Sequence, residues 1–152
     1  MINKELADKI NKNLVIPDFE TETLNKDFIK QVKKWIEEDK QIYFYHNSKW
    51  LKLRQEILRT YHNECVLCKL LNGKITTHDN RLKNGEYRGL QVHHMKEIEL
   101  YPEYCLSPTV IDIMTGKKVA NLIPLCQLHH NMIHNKENNI KAKNKFTNEE
   151  RW

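Results

Sequence analysis

The sequence predicts an α+β domain in which N-terminal helices lead into a β-rich second half stapled by structural zinc. Three observations predict it. Apolar residues recur at helical spacing in three stretches before residue 62. Beyond them the helical period gives way to turn dipeptides, Asn72-Gly73, Asn84-Gly85 and Thr115-Gly116, between short strand-like runs. Finally, Cys65-x-x-Cys68 and Cys126-x-x-His129 are two pairs at the separation at which side chains in a helix's first turn reach one tetrahedral ion. At 152 residues, 39% hydrophobic and 30% charged, the chain fits one domain with a modest core, which a metal staple would help to fold.

The elements follow in order. Residues 1 to 14 predict a short peripheral helix, with Ile2, Leu6, Ile10 and Leu14 at a spacing of four and Pro17 ending the pattern. From Lys26 to Lys40, a second helix carries Phe28, Ile29, Val32, Trp35 and Ile36 on one stripe, with Asn25 as its cap. Trp35 lies in line with that stripe, so it reads as a core anchor rather than a base-stacking platform. Ile42-Tyr43-Phe44-Tyr45 is short and aromatic and reads as an extended or docking segment. Ser48 then caps a third helix, about Lys49 to Tyr61, which buries Trp50, Leu53, Ile57 and Leu58. The same helix displays Lys49, Lys52, Arg54 and Arg59 against a single Glu56, a basic excess that suits phosphate as well as it suits plain solvation.

After the first metal pair, the two Asn-Gly turns predict a β-rich excursion that returns through Gly89-Leu-Gln-Val-His-His-Met95. Alternate strand residues face opposite sides, so His93 and His94 point apart and have different jobs. Lys96 to Ala120 reads as a long connection through Pro102 and Pro108 to the Thr115-Gly116 turn, followed by a strand over residues 119 to 123. Glu97 and Glu99 read as solvated charge and Cys105 receives no role. The tail from Asn135, with Lys141, Lys143 and Lys145, reads as a disordered terminus or a DNA-contacting arm.

Four cysteines would allow two disulfides, but three of them stand in metal-ligand pairs, so metal in a reducing compartment is the better reading. His130 and His134, four apart, share a helix face rotated away from Cys126 and His129, and that face can hold a second metal. His46, His62 and His78 stand alone and read as surface or hydrogen-bonded residues. The net charge of +5 is compatible with a polyanionic partner. No run of about 18 apolar residues occurs and the first residues are charged throughout, which predicts a soluble intracellular protein.

On the phrases YHNECVLC and NLIPLCQLHH, together with His93-His94, the chain resembles the HNH endonuclease family, and within it the phage-encoded, zinc-stapled members. The resemblance covers about residues 43 to 136. It implies a ββα-metal (His-Me finger) core there, with residues 1 to 42 as a helical extension and 137 to 152 as a polar tail. The letters of the family motif fall on His94, Asn121 and His130. Carried over, His94 is the general base that activates water, Asn121 steadies the loop that positions it, and His93, His130 and His134 hold the catalytic divalent cation. His134 is similar to a second helix histidine of colicin-type nucleases. Mg2+, Mn2+, Ni2+ and Zn2+ are the candidate ions, and imidazole suits zinc, nickel and manganese better than magnesium. One departure is His129, where many members have a second Cys, but histidine is an ordinary zinc ligand.

Double-stranded DNA is the implied substrate, with Lys49, Lys52, Arg54 and Arg59 contacting it. The phage members imply genome processing beside terminase or portal proteins, in the cytoplasm of a bacterial host. Two rivals use the same residues without cutting: a zinc-stabilised DNA-binding module and a phage adaptor that keeps a dead nuclease fold. A complete His94, Asn121 and His130 set argues against both, since a binder needs no spare base.

Overall fold

The protein is described here from a computed structural model, which covers residues 3–19, 26–81 and 87–134. The expected Asn25 cap, the Asn84-Gly85 turn and the tail with Lys141, Lys143 and Lys145 lie outside the described residues. The elements are α1 (Lys4–Asn13), α2 (Lys26–Glu37), α3 (Ile42–Tyr45), α4 (Ser48–Thr60), α5 (Val66–Asn72), β1 (His78–Arg81), β2 (Tyr87–Gly89), β3 (Gln91–His94), β4 (Thr109–Ile111), β5 (Lys118–Ala120), β6 (Leu122–Leu125) and α6 (Gln127–Ile133). Helices and small sheets share one hydrophobic core that draws on residues from Leu6 to Ile133.

The first helix is not peripheral. Its cap, Asn3, accepts from the Glu5 and Leu6 amides at 3.1 and 3.3 Å, while the Asn3 amide donates to the Ile133 carbonyl of α6. Leu6 and Ile10 are buried, and α1 lies against α5, α6 and β5. Four-residue spacing puts both side chains on one face, and α5, α6 and β5 cover that face.

In α2, Phe28 and Val32 are buried, and Trp35 stands edge-on to Phe28 and Tyr43 with ring centres 6.2 and 6.1 Å apart. The helix ends before the expected Lys40 because Asp39 takes a left-handed conformation, φ 58°, and the Lys40 amide folds back onto the Trp35 carbonyl at 2.7 Å.

Residues 42–45 form a helical turn, not an extended segment. A strand would send Phe44 and Tyr45 to opposite sides, whereas a helical turn lets both reach Trp50, at ring-centre distances of 5.2 and 5.9 Å. Burial of both rings thus overrides their preference for extended backbone.

Helix α4 buries Trp50, Leu53, Ile57 and Leu58 as the stripe requires. Its cap is Asn47, whose Oδ1 accepts from the Lys49 amide at 2.9 Å, one residue before the expected Ser48. Arg54 departs from expectation. It is buried, and its guanidinium donates to the Leu90 carbonyl at 2.7 Å, so it fastens α4 to the strand region instead of joining the exposed basic face of Lys49, Lys52 and Arg59.

Asn72-Gly73 ends α5 rather than making a hairpin turn. Gly73 at φ 63° supplies the left-handed cap, and the Gly73 and Lys74 amides close onto Lys69 and Cys68 carbonyls at 3.0 and 3.1 Å. Among the described residues the strands pair as three antiparallel two-stranded sheets, β1–β2, β3–β6 and β4–β5. The connection between residues 96 and 120 is therefore not a plain loop, since it holds a short 3-10 turn (Pro102–Tyr104) and the β4–β5 hairpin. The expected strand over 119 to 123 is broken at Asn121, and its second part, β6, pairs with β3, placing His93 opposite Ile123 and His94 opposite Leu122. Among the described residues no helix is long and apolar enough to cross a membrane.

Candidate functional site

Two helix starts of the same design build the first cluster. Cys65 is the residue preceding α5 and Cys68 lies in its first turn; Cys126 precedes α6 and His129 lies in its first turn. All four are buried, and their ligand atoms lie within 4.8 Å of one another. Cys68 Sγ to Cys126 Sγ is 3.7 Å, and His129 Nδ1 lies 3.7, 3.3 and 3.4 Å from the sulfurs of Cys65, Cys68 and Cys126. Tetrahedral zinc, with Zn–S of about 2.3 Å and Zn–N of about 2.0 Å, separates sulfurs by about 3.8 Å and sulfur from nitrogen by about 3.5 Å. The cluster is thus already the size that zinc needs, and it could hold such an ion.

The protonation of these groups fits the same reading. Hydrogen bonding to Cys126, then burial, pushes the Cys65 thiol up, while accepting that bond draws the Cys126 thiol down. One sulfur is thereby kept as a thiolate, the form that binds metal.

The second cluster uses the other face of α6. His130 is buried in the helix and His134 is the residue that ends it. Across from them, β3 presents His93, whose ring centre lies 5.3 Å from His130 and 4.6 Å from His134, with His130 and His134 4.7 Å apart. One ligand atom from each of the three lies within 4.8 Å of the others, so this trio too could hold a metal ion. Gln91 braces β3 against α6, donating from Nε2 to Gln127 Oε1 at 2.6 Å.

His94 turns to the opposite side of β3. Its ring stacks on Trp50 at 4.8 Å and 26° and meets Phe44 and Tyr45 at 5.9 and 6.4 Å. Its Nε2 donates to the Cys105 carbonyl at 2.9 Å, which fixes the tautomer and leaves Nδ1 with the lone pair. Burial lowers its pKa to about 4, against the opposing effect of the Cys105 carbonyl, so the ring is neutral at ordinary pH.

Asn121, fully buried, ties this arrangement together. Its Nδ2 donates to the Tyr104 and Ser107 carbonyls at 3.1 and 2.8 Å, and its Oδ1 accepts from the Lys96 amide at 2.8 Å. Those carbonyls flank Cys105, so Asn121 fixes the loop that presents the Cys105 carbonyl to His94. Cys105 therefore has a place that the sequence left blank, through its backbone. Its buried thiol is pushed up to about 12 by desolvation.

Of the other singled-out residues, Lys49, Lys52 and Arg59 project into solvent from α4 while Arg54 does not. Glu99 is exposed and accepts from Gln41 Nε2 at 2.9 Å. Trp50 was legible as apolar core and Phe44 only as part of an extended or docking segment; neither was legible as a wall of the His94 site. A carbonyl acceptor such as that of Cys105 leaves no mark in the residue type at all. Compared with protein-family models, curated proteins and solved structures, the chain has no match in any of the three.

Proposed function

We propose that the chain is a metal-dependent DNA endonuclease of the HNH type, with the β3–β6 pair and α6 as its ββα-metal core. The observation that carries the reading is the division of labour at consecutive residues. His93 joins His130 and His134 in a group fit for a cation, while His94 faces the other way with Nε2 engaged by a carbonyl and Nδ1 left as a base. On this assignment the scissile phosphodiester lies across β3, meeting the base on one side and the cation on the other.

In this reading His94 Nδ1 takes the proton from the attacking water. The Cys105 carbonyl holds the ring and disperses the charge it gains, and Asn121 keeps that carbonyl in place. A divalent cation at His93, His130 and His134 would supply charge neutralisation at the phosphorane and the leaving 3′ oxygen. The three imidazoles, neutral nitrogen donors, suit a borderline ion such as zinc or nickel. The Cys65, Cys68, Cys126 and His129 cluster takes no part in the chemistry and holds β6, α5 and α6 in register. Lys49, Lys52 and Arg59 on α4 are placed on duplex phosphates. Genome processing with terminase or portal proteins belongs to this same proposal.

A second reading has one observation in its favour. Stacked on Trp50 and buried, His94 would also serve as a purely structural histidine in a zinc-stabilised DNA-binding or adaptor module. Plasmid nicking separates the two. Wild-type protein is expected to convert supercoiled plasmid to open circles only with added divalent cation. His134→Ala, at the half-buried end of α6, should raise the cation concentration needed by about tenfold or more. No cation-dependent nicking under any ion would leave the binding module standing.

Duplex binding itself should weaken steeply with salt. The triple variant Lys49→Ala, Lys52→Ala, Arg59→Ala should reduce the slope of log affinity against log salt by up to about three. A salt-independent wild-type affinity would remove α4 from the interface.

A further inference from the structure

Ile113 and Met114 are the most exposed large apolar side chains among the described residues, at 94% and 91%. They stand at the tip of the β4–β5 hairpin, and that tip is firmly built. The Asp112 amide donates to the Lys117 carbonyl at 2.8 Å and the Gly116 amide to the Asp112 carbonyl at 2.7 Å. Asp112 Oδ1 accepts from the Met114 amide at 3.0 Å, and its Oδ2 accepts from the Thr115 hydroxyl at 3.2 Å. Gly116, at φ 69°, takes the left-handed position that closes the turn. The two apolar side chains are thus held out into water instead of folding back on the sheet. Ile111, also exposed, extends the apolar edge, and Lys117 and Lys118 lie exposed beside it.

The other end of the hairpin is fastened to the His94 support. The Pro108 carbonyl accepts from the Asn121 and Leu122 amides at 2.9 and 3.2 Å, and β5 runs directly into Asn121.

We propose that this hairpin is a DNA wedge, in which Ile113 and Met114 enter between base steps of the bound duplex while Lys117 and Lys118 lie on flanking phosphates. It rests on the reading of the chain as a DNA-acting protein and adds deformation of the duplex to it. Charge selects DNA over a protein partner: two exposed lysines follow the tip on the β5 arm, and its one carboxylate, Asp112, is engaged within the turn. Side chains of this kind partly unstack the step they enter and kink the duplex. The tip reaches at most roughly 16 Å from Ala120, at about 3.3 Å per residue, a span of no more than about five base pairs along a duplex.

The test uses the full chain, without added divalent cation, and a set of duplexes carrying 2-aminopurine at successive positions. Wild-type protein should raise the fluorescence at one or two adjacent steps near the cut found when cation is supplied. The variant I113S/M114S should lose that rise and bind about tenfold more weakly, with zinc content and melting temperature unchanged. An equal rise and affinity in the variant overturns the wedge and points to a protein partner for the tip. DNA bound or cut with no rise at any position overturns the wedge alone. A rise without cutting sustains the wedge and sinks the nuclease reading, and failure to bind duplex at all overturns both.

Discussion

Cys65→Ser protein is expected to lose its zinc and to unfold. Cys65 has no exposed surface, precedes α5 with its amide donating to the Thr76 carbonyl at 2.8 Å, and its sulfur accepts from the Cys68 amide at 3.5 Å. A serine hydroxyl is a shorter and poorer zinc ligand, and binding at such a site can contribute roughly 10 kcal/mol or more to folding. The cluster also joins α5 to β6 and α6, so its loss unties the two halves of the core. Wild-type protein should carry about one equivalent of zinc and the variant close to none, with the cooperative melting transition lost. A chelator that strips the metal from wild type should reproduce the variant. A variant that melts like wild type, or wild type that holds no zinc, would remove the staple from the account.

On the proposed reading of His94 as the general base, the second large effect is confined to chemistry. A solvent-facing base can be cut back to alanine at no cost to the fold, but His94 cannot, because it is buried and stacked on Trp50. His94→Gln is the cleaner change, since the amide nitrogen of Gln can still donate to the Cys105 carbonyl while no basic nitrogen remains. It should lower the rate of DNA cleavage by about a hundredfold or more, with zinc content and duplex affinity unchanged, because a general base acts only in the transition state. Loss of the stack should cost about 1–2 kcal/mol of stability by denaturant unfolding. Full activity in this variant would make His94 a structural residue. Contrast with Cys65→Ser keeps the two roles apart, since one variant is expected to be folded and inactive and the other to have no fold to assay.

What the sequence determined by itself was local. The three-residue separations in Cys65/Cys68 and Cys126/His129 place each pair in a helix's first turn, and the period of two in a strand sends His93 and His94 to opposite sides; both are consequences of covalent spacing. The apolar stripe of α4 is of the same kind. Only the tertiary structure decided the rest. Arg54 falls on the stripe side of α4 and is buried because the Leu90 carbonyl is there to receive it, and that carbonyl, like those of Cys105, Tyr104 and Ser107, belongs to no residue type. The first helix is central because α5, α6 and β5 meet on its apolar face, although its own letters fit a peripheral helix equally well. Phe44 and Tyr45 turn helical because Trp50 lies where both rings can reach it only from a helical turn. Spacing along the chain fixes which side chains can act together, while burial and backbone acceptors depend on parts of the chain that come together only in the fold.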